Sequence, residues 1–250
     1  MMTDQADGLR RLMTSSAGRL VAVLGGEPRI DVGSVSRNLA AALVRKGKEV
    51  LVLDECGGAP SPHAQRAGRL VLMNAMLSRE GALSPLAAQA DHILVVLQPN
   101  AASITQTYAC IKRLQHVHAL QRLRVLVHGA ANAAEAQSIL VNLARTANCY
   151  LALALEPAGW VRADPLLAQA QRLDLTVVEA FQGSFAAMDY CQIAADLLQW
   201  PTLVAKGQKA SPRPVLTASQ AARPVPRCAD AAVLNTSIVK RAGVHLNVHT

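Results

Sequence analysis

Aromatic side chains make up only 3% of the 250 residues. So thin a supply excludes the stacking platforms on which single-stranded nucleic acid is held, because bases need flat apolar faces to lie against. Cysteine is also sparse and scattered. Cys56, Cys110, Cys149, Cys191 and Cys228 stand singly, with no C-x-x-C pair. That pattern argues against a zinc site or a disulfide framework and predicts reduced thiols. No uncharged apolar run is long enough to span a bilayer, and the opening MMTDQADGLRRLM has no apolar signal core. The expectation is a soluble, cytoplasmic protein.

What the chain does have is Ala, Leu and Val: 51% of it is hydrophobic, enough for one substantial core. The net charge is +8, unevenly placed. From Pro201 onward Lys206, Lys209, Arg213, Arg223, Arg227, Lys240 and Arg241 face Asp230 alone, a net +6. The basicity therefore belongs to a Pro/Ala-rich tail, residues 201–250, whose composition predicts solvated disorder. Within it DAAVLNTSIVKRAGVHLNV has the mixed apolar and basic content of a weak amphipathic helix.

Before the tail, apolar runs alternate with segments of helical period. The runs are Leu20 to Leu24, Val50 to Leu53, Leu70 to Met73, His92 to Leu97, Leu123 to Val127, Leu151 to Leu155 and Leu175 to Val178. Nearly all lack a polar face, as strands buried on both sides do. Helices are predicted over Ser34 to Lys46, Ala102 to His116, Ala133 to Thr146, Asp164 to Arg172 and Ser184 to Gln199. Strand, helix, strand in repetition predicts an α/β fold with a doubly wound, mainly parallel sheet over residues 19–200.

Such a sheet seats ligands at the carboxyl ends of its strands, starting with the first strand-to-helix turn. Here that turn is GGEPRIDVGS, Gly25 to Ser34. A phosphate loop needs glycines to turn successive N–H groups inward, a lysine for the β/γ-phosphates and a hydroxyl for magnesium. Gly25, Gly26, Gly33 and Ser34 are present, but no lysine is. Lys46 and Lys48 sit at the far end of the following helix, roughly 18 Å or more from its start at 1.5 Å per residue. His92, His116 and His118 have no second ligand pair at a metal-like spacing, and no G-x-S-x-G surrounds any serine.

The words VAVLGG and NLAAALVRKGKEVLVLDE resemble the opening of the MinD/ParA family of P-loop ATPases, where K-G-G-x-G-K-T leads into NLA, a helix and a strand ending in Asp. The resemblance puts Glu27 at the first lysine, Val32 at the second and Gly33 at the threonine, with Ser34 beside it. It puts Asp54 at the acid that manages the attacking water or the magnesium shell. It puts Asn74 at the metal-side aspartate and His128 at the adenine-reading asparagine. The stretch between Asp54 and Asn74 is far shorter than the one the family gives to its switch and dimer contacts. The resemblance with these departures implies a degenerate ATP site with weak ATP and magnesium binding at most, no metal ligands and no turnover.

Asp4, Gln5, Ala6, Leu9 and Arg10 in DQADGLRRLM match the D-Q-A-x-x-L-R segment of the FlhG family, also called FleN or YlxH, within the MinD/ParA group. Ser103, Ile104, Thr105, Tyr108, Ile111 and Lys112 match a second FlhG stretch, and Gly159 and Asp164 a third. The resemblance implies a regulator of flagellar number and placement. Its segment 1–18 would act on FlhF, a signal-recognition-type GTPase. Further partners would be a flagellar transcriptional regulator and, transiently, the membrane or cell pole, with no direct nucleic-acid contact. From pattern alone, Ala6, Leu9 and Met13 form the apolar stripe of a short helix, weakened by Gly8. Such a helix either packs on its own domain or folds on a partner. A working ATPase with a non-standard site is the alternative to the regulator.

Overall fold

The computed structural model describes residues 19–55 and 70–201; the segments 1–18 and 56–69 and the tail from 202 lie outside the described residues. The elements are β1 (Arg19–Gly25), α1 (Val32–Arg45), β2 (Val50–Asp54), β3 (Leu70–Asn74), β4 (His92–Leu97), α2 (Ala101–His118), β5 (Arg122–Ala130), α3 (Ala133–Leu151), β6 (Ala154–Arg162), α4 (Pro165–Arg172), α5 (Val177–Ala180) and α6 (Phe185–Gln199). The strands form one sheet in the order β2-β3-β1-β4-β5-β6. All neighbours run parallel. This is the doubly wound α/β architecture that the apolar runs predict.

Residue alternation along β1 feeds two cores. Val21 and Val23 face one layer, with Leu39 and Leu43 of α1 and Tyr190, Ile193 and Leu197 of α6. Leu20, Ala22 and Leu24 face the other, with Ile111 and Leu114 of α2 and Leu143 of α3. A strand buried on both faces has no place for a polar side, which is why β1 reads as an unbroken apolar run. The register sets Gly25 beside Val96, Val23 beside Asn74, and Asp54 beside Asn74. Three strand ends and the loop after β1 therefore meet at one edge.

Two strand expectations need correction. Leu175 to Val178 is not a strand: Thr176 and Glu179 form a reciprocal capping box that starts α5 instead. Leu151 ends α3, and the strand expected over Leu151 to Leu155 runs over Ala154–Arg162. That strand passes through Pro157, tolerable because β6 is an edge and its register to β5 shifts at this point. Gly159 beside it has φ +126°, and a Cβ there would stand 2.7 Å from Ile193 Cγ1. The glycine thus lets α6 approach the strand closely.

Cys110 and Cys191 are free, but Cys149 is disulfide-bonded, so the expectation of reduced thiols fails for that residue. Among the described residues no helix is long and apolar enough to cross a membrane. Every element above belongs to one compact unit that ends at Trp200.

Candidate functional site

The loop joining β1 to α1 folds on its own hydrogen bonds. Gly26 N–H donates to Val96 O at 2.8 Å, extending the ladder between β1 and β4. Ile30 N–H donates to Glu27 O and Val32 N–H to Ile30 O. Asp31 caps α1: its Oδ1 accepts the Ser34 N–H at 2.9 Å, and its Oδ2 accepts from Gln171 Nε2 at 3.3 Å. An acidic residue is the ordinary choice for this cap, because it satisfies an orphan amide and complements the helix dipole. It also puts a carboxylate at the helix end where a phosphate would otherwise sit.

Gly25, Gly26 and Gly33 all have negative φ, and no residue of the loop is left-handed. A nest of converging amides requires alternating right- and left-handed residues, so the loop does not form one. Gly26 has a packing reason instead. A Cβ there would stand 2.0 Å from Thr107 Oγ1, so its absence lets α2 close on the loop. Thr107 is fully buried, and its hydroxyl has no hydrogen-bond partner.

Above this loop lies a cavity of about 340 Å³. Gly25, Gly26, Gly33, Asp54 and Asn74, all singled out by sequence, line it. Ser34 does not; it lines a neighbouring groove beside α1 and α4. His128 also stands apart, its Nε2 3.1 Å from the Tyr190 hydroxyl. Burial pushes the His128 pKa below its usual value, with the nearby Asp31 charge opposing. Burial likewise raises that of Tyr190. Asp4, Gln5, Ala6, Leu9 and Arg10 lie outside the described residues.

The structure adds residues that spacing did not reveal. Asn74 Oδ1 accepts a hydrogen bond from Ser36 Oγ at 2.5 Å, tying the end of β3 to α1. Arg113 and Cys110, one turn apart on α2, also line the cavity. The Cys110 thiol is pushed up mainly by burial, with the Arg113 charge opposing. Glu27 is only 8% exposed, a buried acid in a loop of a type that ordinarily gathers anions. The helical spacing of Thr107, Cys110 and Arg113 was the one available signal, and it reads as core packing. Among the described residues no cluster of three or more His, Cys, Asp or Glu could hold a metal.

No family model matches the chain. Over 112 residues it is 30% identical to the antiactivator FleN of Pseudomonas aeruginosa, a stretch covering 45% of this chain and 40% of FleN. Its fold matches the MinD cell division protein of Aquifex aeolicus, with TM-score 0.57 and 14% identity over 76% of this chain and all of that one. It also matches MinD of Pyrococcus horikoshii in complex with Mg-ADP, with TM-score 0.53 and 12% identity over 72% and 96% of the two chains. A ParA family ATPase from Chlorobium tepidum gives 0.53 at 11% identity, over 72% and 99%.

The chain has the fold of the MinD and ParA proteins, and over part of its length its sequence is similar to FleN. The match to FleN spans well under half of that protein's length, and the solved structures, all of low sequence identity, speak for the fold alone. In this chain the first turn after β1, the end of β2 and the end of β3 converge on one cavity.

Proposed function

We propose that the chain is a regulator of bacterial flagellum number and placement of the FlhG type. It acts through Asp4, Gln5, Ala6, Leu9 and Arg10 on the GTPase FlhF, and it is carried on a MinD/ParA-type domain whose ATP site is degenerate. The observation that carries the reading is the likeness to the antiactivator FleN, together with the D-Q-A-x-x-L-R word at residues 4–10. The loop supports the second half of it. Asp31 caps α1 with a carboxylate, Gly26 spends its amide on the sheet, and Pro28 has no amide to give. Phosphoryl transfer depends on positioning and on cancelling negative charge, and a single charged contact in such sites is worth roughly 3–5 powers of ten in rate.

The test is direct. A peptide of residues 1–18 is expected to accelerate GTP hydrolysis by FlhF, and Gln5→Ala in that peptide is expected to abolish the effect. A wild-type peptide without effect would remove the proposal. One observation favours the alternative of an active ATPase: Arg113 lines the cavity and offers a cation that no motif announces. Its Nη1 lies 3.5 Å from Arg79 O, however, which draws it toward the neighbouring loop. Phosphate release from purified full-length chain, lost in Arg113→Ala, would establish that alternative.

A further inference from the structure

We infer that the groove between α1 and the turn joining α4 to α5 is the docking site of the chain's own segment 1–18, with Gln5, Leu9 and Leu12 turned into it. The segment is then stored in cis until a partner draws it out. The docking stands apart from the reading above; only its consequence for FlhF rests on that reading.

The groove has a volume of about 420 Å³. One wall is α1 from Ser34 to Arg45, about 16 Å long at 1.5 Å per residue. Leu167, Asp174, Leu175 and Glu179 form part of the other. Asn38 Oδ1 accepts the Val177 N–H at 2.8 Å and ties α5 to α1, which holds the walls apart at a fixed spacing. Val44 on one wall and Leu175 on the other are 57% and 49% exposed. Single exposed apolar residues are ordinary, but two on different walls of one groove give an amphipathic helix something to bury against.

Length and charge select the occupant. Segment 1–18 ends at Arg19, the first residue of β1, which is fastened to Leu197 O and Trp200 O at the end of α6. The register sets Arg19 beside Leu70 and Leu70 beside Val50, so Arg19 and Val50 lie two strand spacings apart, roughly 10 Å. Residues 46–49 join α1 to Val50, so Val44 and Arg45 sit near the same end of the sheet. Thr14 to Gly18 span up to about 17 Å, more than the gap between the strands. As a helix, Gln5 to Met13 covers about 12 Å, within the length of the α1 wall. Gln5, Leu9 and Leu12 stand at i, i+4 and i+7 and share a face. Arg10 borders that face and meets an acidic wall. There Glu179 already holds the Thr176 hydroxyl, while Asp174 is exposed. A short linker keeps the segment at roughly millimolar local concentration, so a modest contact suffices to hold it. Docked in this way, Gln5 is covered.

The test follows hydrogen exchange in the full chain. Amides of residues 5–13 are expected to exchange at least about tenfold more slowly than in a free peptide of residues 1–18, at any protein concentration. Val44→Ser with Leu175→Ser, both exposed positions, is expected to return them to the peptide's rate. Arg10→Glu is expected to speed exchange relative to its own peptide, and Asp174→Arg in the same chain to slow it again. Peptide-like exchange in the parent would overturn the inference by leaving the groove to another occupant. Protection that grows with concentration would assign the groove to a second copy's segment and also overturn it, as would protection that survives the double serine variant or ignores Arg10→Glu. A second arm measures GTP hydrolysis by FlhF. The full chain is expected to stimulate it at least about tenfold less per mole than the peptide, and the double serine variant to match the peptide. Equal stimulation by parent and peptide would overturn the covering of Gln5. A peptide without effect removes the FlhF reading and leaves the docking to be decided by exchange alone.

Discussion

At the amino end of the sheet charged side chains clamp the chain together, whereas at the carboxyl end the first loop borders an open cavity. Arg19 donates to Leu197 O at 2.7 Å and to Trp200 O at 3.0 Å, closing the last turn of α6. Arg124 lies 4.1 Å from the centre of the Trp200 ring and 2.6 Å from Glu156. His92 meets the same ring edge-on at 5.2 Å, and Asp91 accepts from Leu20 N–H. Polar groups there are spent on holding the chain together. Beside the first loop, Thr107 keeps a buried hydroxyl without a hydrogen-bond partner, and Glu27 lines an open cavity.

The contrast can be broken most forcefully at Trp200. Trp200→Ala removes a ring that is 6% exposed and held by Arg124 and His92, and should cost about 4 kcal/mol by urea unfolding. A loss near zero would show that the amino end is not a structural clamp. Next comes Gly26→Ala, whose Cβ would collide with Thr107. Overpacking of this kind is expected to cost about 2 kcal/mol, and adding Thr107→Ala should restore most of it. Additive losses in the double variant would mean that the glycine serves something other than the approach of α2.

Smaller effects sharpen the same comparison. Asp31→Ala removes the cap on Ser34 N–H and should cost about 1 kcal/mol in the same unfolding measurement. His128 gives a pH signature. Burial lowers its folded-state pKa below the ordinary 6.5, so the unfolded chain binds the proton more readily. Its contribution to stability is therefore complete above 6.5 and is lost as the pH falls through the folded-state value. The stability profile of His128→Gln should be flatter than that of the parent over this acid range. An identical profile would mean that His128 titrates as an ordinary exposed imidazole.

Much of the architecture was legible in the residues, and the exceptions have local causes. Strands β1 to β5 are apolar runs because parallel strands are covered on both faces. The run Leu175 to Val178 looks the same, but Thr176 and Glu179 satisfy each other's backbone and start a helix before any strand can pair. The extent of β6 could not be read, since Pro157 and Gly159 are strand breakers except at a bulged edge beside a closely packed helix. In the candidate site Gly25, Gly26, Gly33, Asp54 and Asn74 were found by motif position. Arg113, Cys110 and Thr107 were not, because they reach the loop from α2, a helix separated from it in sequence by three further strands.

The sequence by itself determined the parallel α/β layering, the place of the first loop and the lack of a lysine in it, because burial pattern and residue identity are local properties. Only the tertiary structure decided that Gly26 admits a helix, that Asp31 takes the helix end, and that Glu27 lines a cavity. Whether a charge is paired depends on what the rest of the chain brings within a few ångströms of it, and that is settled only when the layers close.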